Sequence, residues 1–228
     1  MNFKKMVLSV AMFVVVMEAG LFAYRLVFAR EKDNEVYNNV ISVYELALLA
    51  EKGDVAAQFK LGYKYDVGKG VDQNDEEAVK WYRLSAEQGY ERGQVNLGVM
   101  YRDGRGVEQD DEEAARWYRL STEQGYAGGQ LHLGWLYEKG RGVNQDYEEA
   151  VKWYRLSAEQ GDATAQNYLG RMYEHGKGVE QDLEEAGKWY RLSAEQGNED
   201  AQYRLEIIDI IQTVVEDAAQ GQTHSDTQ

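Results

Sequence analysis

Residues 53–88 read GDVAAQFKLGYKYDVGKGVDQNDEEAVKWYRLSAEQ, and this stretch decides the fold because the chain repeats it. Tryptophans recur every 36 residues, at Trp81, Trp117, Trp153 and Trp189, and the match extends through the whole unit. The full copies are 53–88, 89–124, 125–160 and 161–196, and a fifth begins at Gly197 and then departs from the pattern. A period of this size predicts a solenoid, in which each unit packs on its neighbours.

Each copy predicts two helices joined by a sharp loop. In the first copy Ala57, Leu61 and Tyr65 recur at helical spacing before Gly68. Paired loop glycines permit positive φ at 68/70, 104/106, 140/142 and 176/178. The second helix then starts with an N-cap residue followed three positions later by Glu, which predicts a reciprocal capping box at Asn74/Glu77, Asp110/Glu113, Asp146/Glu149 and Asp182/Glu185. Gly89 is the predicted terminator of the first copy.

A glycine also falls inside the first helix of every copy, at Gly62, Gly98, Gly134 and Gly170. Glycine in a helix interior costs about 1 kcal/mol relative to alanine. Its recurrence therefore predicts a close crossing of the two helices, which we expect to be against Ala78 and its equivalents.

Composition excludes several kinds of function. With 25 basic and 40 acidic residues the net charge is −15, which argues against a general nucleic-acid binder. The absence of Cys excludes a disulfide scaffold, a thiolate metal site and a cysteine nucleophile. His132, His175 and His224 lack metal-ligand spacing, and the GKG and GRG tripeptides lack the continuation of a P-loop. We therefore expect no metal and no cofactor.

The blocks LG-x2-Y, G-[KR]-GV and A-x-x-WYRLS-[AT]-EQ resemble those of Sel1-like repeats, relatives of the tetratricopeptide repeat. The resemblance covers residues 53–196 in full and 197–205 in part. It implies an all-α fold, a right-handed α-solenoid of helix–turn–helix repeats, which mediates protein–protein interactions and is not an enzyme.

The two ends of the solenoid predict caps. Residues 36–52 align with the second helix of a unit, so we expect an N-terminal capping helix within 30–52. Residues 197–219 predict one long amphipathic helix that either caps the solenoid or docks a partner. The polar residues 220–228 predict a disordered tail.

Residues 1–29 predict a signal peptide or an N-terminal membrane anchor. Lys4 and Lys5 precede a charge-free run, Met6 to Met17, whose length suits a signal peptide better than a membrane span. Membrane attachment through a longer helix over 6–29 and a buried N-terminal helix are the alternatives. Cleavage and anchoring both place the repeats outside the cytoplasm, either in the bacterial periplasm or secreted, or held at the inner membrane.

By analogy with tetratricopeptide solenoids, the first helices line the concave groove. Along this strip, residue identity varies between copies while neighbouring positions stay fixed, as expected of a surface that the fold does not dictate. The predicted partner-binding residues are Phe59, Tyr63, Val95, Val99, Leu131, Trp135, Asn167, Arg171 and His175. Trp135 is out of phase with the repeating tryptophans, and an aromatic or Arg anchor is typical of a binding hot spot. The alternative is a solvated groove with incidental apolar residues.

Basic residues recur between the loop glycines, at Lys69, Arg105, Arg141 and Lys177. They form either a row that captures carboxylates or an anionic polymer, or charges that offset the acidic first turn of the next helix; we favour the second. The acidic turns themselves are explained by the helix dipole, so we expect no catalytic carboxylates there.

The sequence therefore predicts a non-catalytic, exported scaffold that binds a protein or peptide in the concave groove. One alternative is a membrane-anchored envelope scaffold that acts through its C-terminal helix. The other is a hydrolase of envelope carbohydrate, which would use Glu138 and Glu174 as its acid/base pair.

Overall fold

The computed structural model describes the backbone of residues 33–225 and the side chains of residues 42–211, 213 and 214. This part of the chain is all-α, with helices and turns and no strand. Its helices are α1 (Asp33–Glu51), α2 (Val55–Val67), α3 (Asp75–Glu87), α4 (Glu91–Asp103), α5 (Asp111–Glu123), α6 (Ala127–Lys139), α7 (Tyr147–Glu159), α8 (Ala163–His175), α9 (Leu183–Glu195) and α10 (Glu199–Ser225).

Each repeat is an antiparallel helix pair. In the first repeat, Ser85 near the end of α3 donates a hydrogen bond to the Val55 carbonyl at the start of α2. Tyr82, one turn earlier in α3, reaches Asp66 near the end of α2. The same helix pairing recurs as α4/α5, α6/α7 and α8/α9, and each pair packs on the next. The solenoid predicted from the 36-residue period is confirmed.

The N-caps form, but the capping boxes do not close. Asn74 accepts a hydrogen bond from the backbone N–H of Glu77 through its side-chain oxygen, at 3.1 Å. The N–H of Asn74 donates to the carbonyl of Tyr65 in the preceding helix rather than to the Glu77 side chain. The Glu77 carboxylate instead pairs with Lys80. The same cap and the same carbonyl contact recur at Asp110, Asp146 and Asp182.

The helix glycines are needed mainly for a tyrosine ring rather than for Ala78 and its equivalents. Among these equivalents, Ala150 does lie close, with its carbonyl oxygen 3.2 Å from a Cβ added to Gly134. A Cβ added to Gly62 would lie 2.7 Å from Cδ1 of Tyr82, and one added to Gly98 would lie 2.6 Å from Cε1 of Tyr118. The contact repeats between Gly134 and Tyr154 and between Gly170 and Tyr190. All four tyrosines are fully buried. Each aromatic ring therefore lies directly on the backbone of the facing helix.

The repeated tryptophans pack in the core, though they are not equally buried. Trp81 and Trp117 are buried, at 8% and 4% exposure, whereas Trp153 and Trp189 are half-buried. Trp117 packs in a cluster with Tyr82, Leu97 and Met100. This cluster joins the first repeat to the second, so the tryptophan links neighbouring units.

Polar contacts also join neighbouring repeats. Gln88 donates to the side-chain oxygen of Gln58 at 2.7 Å, and Gln58 donates to the Ala50 carbonyl of the preceding helix at 3.1 Å. The first link recurs in the other repeats as Gln124 to Gln94, Gln160 to Gln130 and Gln196 to Gln166. The buried amides of Gln94 and Gln166 likewise donate to carbonyls of the preceding helix, those of Ala86 and Ala158.

The basic residues of the loops reach backward, so the expectation that they offset the next helix is wrong. Arg105 pairs with Asp75 at 2.5 Å and with Asp66 at 2.6 Å, both in the preceding repeat. Arg141 binds Asp111 with two hydrogen bonds of 2.8 Å. Lys177 lies over the ring of Tyr147, which occupies the equivalent position.

The loop glycines explain this direction. A Cβ on Gly106 would lie 2.2 Å from the Asp75 carbonyl oxygen, and one on Gly142 would lie 2.0 Å from that of Asp111. The loop thus contacts the first turn of the second helix of the preceding repeat. The basic side chain next to the loop glycine therefore pairs with that turn.

Both ends carry helices that pack on the solenoid. Ala50 of α1 is buried with Ala57, Leu61 and Trp81, which supports the predicted N-terminal cap. Ala201 and Ile208 of α10 are buried against Ala186 and Tyr190 of α9.

The helix α10 extends further than expected, but its buried face ends early. Its backbone continues as a helix to Ser225, so the prediction of a disordered tail is wrong over 220–225. Ile211, one turn beyond the buried Ile208, is 42% exposed. Residues 1–32 and 226–228 lie outside the described part of the chain, and the predicted signal peptide or anchor falls there. No helix within the described residues is long and apolar enough to span a membrane.

Two glycine-to-alanine substitutions test the tyrosine contact. Gly98→Ala is expected to lower the free energy of unfolding by about 1–3 kcal/mol, because its Cβ meets a buried ring that cannot move. Gly187→Ala is the matched control in α9, where a Cβ would lie 3.7 Å from Ile208, and it is expected to raise the free energy by about 0.4–1 kcal/mol. Urea unfolding of both variants measures the difference. Equal stabilities would contradict the packing described above.

Candidate functional site

The first helices lie on one side of the solenoid. The helices α4 and α6, from successive repeats, contact each other directly as well as their own second helices. Their outward side chains therefore form a continuous surface, which we call the groove face and define as the exposed and half-buried side chains of α2, α4, α6 and α8. This is the surface predicted to bind a partner.

The predicted residues divide into three groups on the groove face. Tyr63, at 47% exposure, and His175 are exposed. Half-buried side chains, which still reach the surface, are Phe59, Val99, Leu131, Trp135 and Arg171. All of these remain candidates for partner contact.

Val95 and Asn167 do not belong to this surface. Val95 is 7% exposed and packs with Tyr118 and Leu133 in the core. Asn167 is 5% exposed, and its amide donates to Asp200 of α10 at 2.8 Å, so it ties the last repeat to the terminal helix. Trp135 packs against the same core cluster that contains Val95.

A cavity of about 350 Å³ opens in this face where the second, third and fourth repeats meet. It is lined by Arg102, Asp103, Leu131, His132, Trp135, Arg141, Thr164 and Tyr168. Of the nine predicted residues it brings together two, Leu131 and Trp135. His132, Thr164 and Tyr168 were missed, although Lys60, Asn96, His132 and Tyr168 occupy one position of the repeat and differ in every copy. That variation was the available signal.

Two guanidinium groups lie over the ring system of Trp135. The Cζ atoms of Arg102 and Arg141 are each 5.4 Å from the centre of its ring system. Arg102 binds the carboxylate of Asp103 with hydrogen bonds of 2.7 and 2.9 Å, and Arg141 also donates to the carbonyl of Arg102 at 3.1 Å. The pair with Arg102 holds the pKa of Asp103 below its usual value. The indole is thus held in one orientation at the edge of the cavity.

His132 closes the inner side of the cavity. Its ring stacks on that of Tyr118, with centroids 5.1 Å apart and an interplanar angle of 19°. Burial, together with the positive charge of Arg102, lowers the pKa of His132 to about 4. The imidazole is therefore neutral at neutral pH and acts as a flat, uncharged wall.

The carboxylates considered for hydrolysis are engaged in structural bonds. Tyr154 donates to Glu138 at 2.7 Å and Lys139 pairs with the same carboxylate at 2.6 Å. Burial raises the pKa of Glu138, but the bonds from Lys139 and Tyr154 outweigh it and the net shift is downward. Glu174 accepts from Tyr190 and pairs with Arg204 at 3.0 Å. The lowered pKa of Glu138 is the opposite of what a general acid requires, and both carboxylates are held by structural bonds, so the geometry offers no support for a hydrolase.

No group of three or more side chains in the described residues is arranged to hold a metal ion. The site combines guanidinium groups, flat aromatic surfaces and an open cavity.

The neutral imidazole predicts a specific pH dependence. Because the pKa of His132 falls from about 6.5 in the unfolded chain to about 4 in the fold, the unfolded state gains a proton first as the pH drops. Lowering the pH from 7 to 5 should cost about 1–2 kcal/mol of stability through this residue alone. His132→Asn, which installs the residue found at Asn96, is expected to remove that loss in urea unfolding at the two pH values.

His175→Asn serves as the control, since it changes an exposed imidazole. If the free energy of unfolding of His132→Asn kept the full pH dependence of the parent protein, His132 would not be the source of that dependence.

Comparisons with known proteins agree with this architecture. A family model described as Sel1 repeat matches residues 55–90, 92–126, 127–162 and 163–198, which together make up more than half of the chain. No curated protein matches the sequence significantly.

Two solved structures are similar in sequence and fold. A Sel1 repeat protein from Oxalobacter formigenes is 38% identical with a TM-score of 0.65, covering 75% of this chain and 72% of that one. A protective antigen present in uropathogenic Escherichia coli strains, which displays the same repeat fold, is 41% identical with a TM-score of 0.65 over 68% of this chain. The match spans only 33% of the length of that antigen. With four matched repeats and a helix-pair solenoid that agrees with them, the chain belongs to the Sel1 repeat family.

Proposed function

We propose that this protein is an exported, non-catalytic scaffold that binds a protein or peptide along the groove face. Sel1 repeats generally mediate protein–protein interactions. One observation carries the proposal for this chain. The side chains of the groove face change from copy to copy at fixed positions of the repeat, and they remain accessible around Trp135.

The groove face has the properties of a preformed binding surface. Tyr63 and Trp135 offer large aromatic area with little rotational freedom, and guanidinium groups lie beside the indole. Tyr, Trp and Arg are the residues that most often dominate binding energy at interfaces. Since stacked helices already hold them in place, binding requires little ordering of the scaffold.

Export is supported by the sequence of the N-terminal residues. Lys4 and Lys5 followed by the apolar run from Met6 to Met17 is the pattern of a signal peptide, and an uncleaved anchor would hold the repeats on the same side of the membrane. The proposed location is therefore extracytoplasmic, either free or anchored at the inner membrane. A chain without Cys then depends on repeat packing alone for its stability.

Partner capture tests the groove face. The full-length protein, tagged after Gln228 and produced in its native host, is compared with the double variant Tyr63→Ala/Trp135→Ala. Removal of both anchors should reduce the recovered partner at least tenfold, since each such anchor contributes more than about 1 kcal/mol. The matched control is Leu84→Ala/Leu156→Ala, which removes two exposed apolar side chains from second helices, at 37% and 39% exposure.

Circular dichroism melting establishes that all variants are folded. Undiminished recovery of the partner by the folded double variant would reject the groove face, and equal losses in both double variants would show that the contact is not specific to it.

A second surface favours a second candidate function, an envelope scaffold that acts through α10. The side of this helix opposite its packed face exposes several apolar residues: Tyr203, Ile207, Ile210, Ile211 and Val214. Ile210 and Val214 are the most exposed of the aliphatic ones, at 63% and 61%. In this candidate the repeats space the helix from its attachment point and the groove face takes no part.

Substitution of this stripe separates the two candidates. Ile210→Gln/Val214→Gln keeps Ala201 and Ile208 in place, so the helix remains packed on the last repeat. If the groove face binds the partner, this variant recovers it at the level of the parent protein in the same capture experiment. Loss of the partner here, with retention in Tyr63→Ala/Trp135→Ala, would transfer the function to α10.

A further inference from the structure

The second repeat lacks a hydrogen bond that the other three repeats make. The buried tyrosine of each second helix reaches the same place on its first helix, where three repeats have a carboxylate. Tyr82 donates to Asp66 at 3.1 Å, Tyr154 donates to Glu138 at 2.7 Å and Tyr190 donates to Glu174. In the second repeat the residue at this position is Arg102.

The substitution leaves a buried hydroxyl without an acceptor. Tyr118 is fully buried, and its hydroxyl has no hydrogen-bond partner among the described residues. A buried polar group in this condition destabilises a fold. Stability alone would therefore favour a carboxylate at position 102, as in the other three repeats, and Arg102 must be explained by something other than packing.

Arg102 turns to the cavity instead. It stacks against Trp135 and lines the opening together with Arg141. Its Nε and one Nη bind Asp103, and Arg141 likewise uses Nε and Nη2 for its contacts, so each guanidinium keeps its other Nη free among the described residues. Two guanidinium groups with an unused Nη therefore lie beside one cavity.

The ligand chemistry follows from these groups. Guanidinium groups bind carboxylates with paired hydrogen bonds, and Asp103 already shows this geometry at Arg102. Asp103 pairs with Arg102, and Asp111 pairs with Arg141. A doubly charged phosphate would therefore be repelled by two nearby carboxylates, whereas a ligand with a single negative charge meets less repulsion. Beside the arginines, Leu131, Trp135 and Tyr168 supply apolar and aromatic surface.

We propose that the cavity between the second, third and fourth repeats binds a carboxylate of the partner polypeptide, with an apolar or aromatic group next to it against Trp135. Arg102 and Arg141 hold the carboxylate through hydrogen bonds, and neutral His132 forms the wall behind it. This inference rests on the proposed groove face and names the chemistry that part of the face recognises.

The third repeat supplies the decisive variant. There, Glu138 and Lys139 form an ion pair at the two positions that Arg102 and Asp103 occupy in the second repeat, with the acidic and basic residues exchanged. Arg102→Glu/Asp103→Lys therefore copies a native arrangement, keeps the net charge and returns an acceptor to Tyr118. We expect the melting temperature of this variant to rise and its carboxylate binding to disappear. The reciprocal variant, Glu138→Arg/Lys139→Asp, deprives Tyr154 of its acceptor and is expected to melt at a lower temperature.

Small probes measure binding independently of the natural partner. The full-length protein is titrated with N-acetyl-L-phenylalanine, which carries a terminal carboxylate, and with N-acetyl-phenylalanyl-glutamic acid amide, which carries a side-chain carboxylate. The uncharged control is N-acetyl-L-phenylalanine methylamide. The signal is the indole Nε1–H resonance of Trp135 in the ¹H–¹⁵N spectrum, assigned from the Trp135→Phe variant.

At least one carboxylate probe is expected to saturate with a dissociation constant on the order of 1 mM, and the tighter of the two identifies a chain terminus or a side chain as the source. The methylamide and the Arg102→Glu/Asp103→Lys variant should each bind at least tenfold more weakly. Equal binding of the methylamide, equal shifts from sodium phosphate at the same concentration, unchanged binding by the swapped variant, or a fall in its melting temperature would each overturn the proposal.

The outcome is separable from the test of the groove face. A natural partner that the swapped variant still recovers, but that Tyr63→Ala/Trp135→Ala loses, would leave the groove face intact and reject the carboxylate site.

Discussion

The contact between a tyrosine ring and a helix glycine sets the geometry of every repeat. Because Tyr118 lies where the Cβ of residue 98 would be, the two helices of the second repeat approach more closely than side chains on both would allow. The ring also directs the phenolic hydroxyl toward the far end of the first helix, where residue 66, 102, 138 or 174 stands. One packing contact thus determines both the helix separation and the position at which a polar residue of the groove face meets the core.

Contacts between repeats follow from a second close approach, that of the loop to the preceding helix pair. Gly106 and Gly142 bring the loop backbone against the first turn of that helix, and Arg105 and Arg141 pair with the aspartate found there. Where the fourth repeat meets the third, Tyr147 of the third repeat replaces the aspartate and Lys177 of the fourth replaces the arginine, and the cation lies over the ring instead. The two positions change together because they touch, although they belong to different repeats.

Much of this architecture could be predicted from the sequence, because it depends on short-range patterns. The helix pairs, the N-caps at Asn74 and Asp110 and the terminal packing helices follow from spacing and from the chemistry of individual residues. The errors arose where a contact joins two elements. The closing of the capping box failed because Lys80 lies one turn from Glu77 and competes for its carboxylate. The tyrosine partner of Gly98 depends on the register of two helices, which the 36-residue period does not contain.

The cavity was only partly foreseen for the same reason. Trp135 stood out because it breaks the tryptophan period, but its neighbours His132 and Tyr168 come from a position whose variation we did not weigh. Val95 and Asn167 share a repeat position with Leu131 and yet are buried, so equivalence in the period does not guarantee equivalence of exposure. The neighbouring side chains decide which copy reaches the surface.

A repeat protein also carries its own internal reference, and this is what makes Arg102 informative. In a protein of unique sequence, a buried hydroxyl without an acceptor could be an incidental defect. Here three copies of the same unit show the acceptor that the fold prefers, in Asp66, Glu138 and Glu174, so the fourth copy departs from a known solution. The departure coincides with the cavity, with the stacked Trp135 and with the neutral His132. A binding requirement imposed on a repetitive scaffold would produce such a loss of a stabilising bond beside two guanidinium groups and an opening.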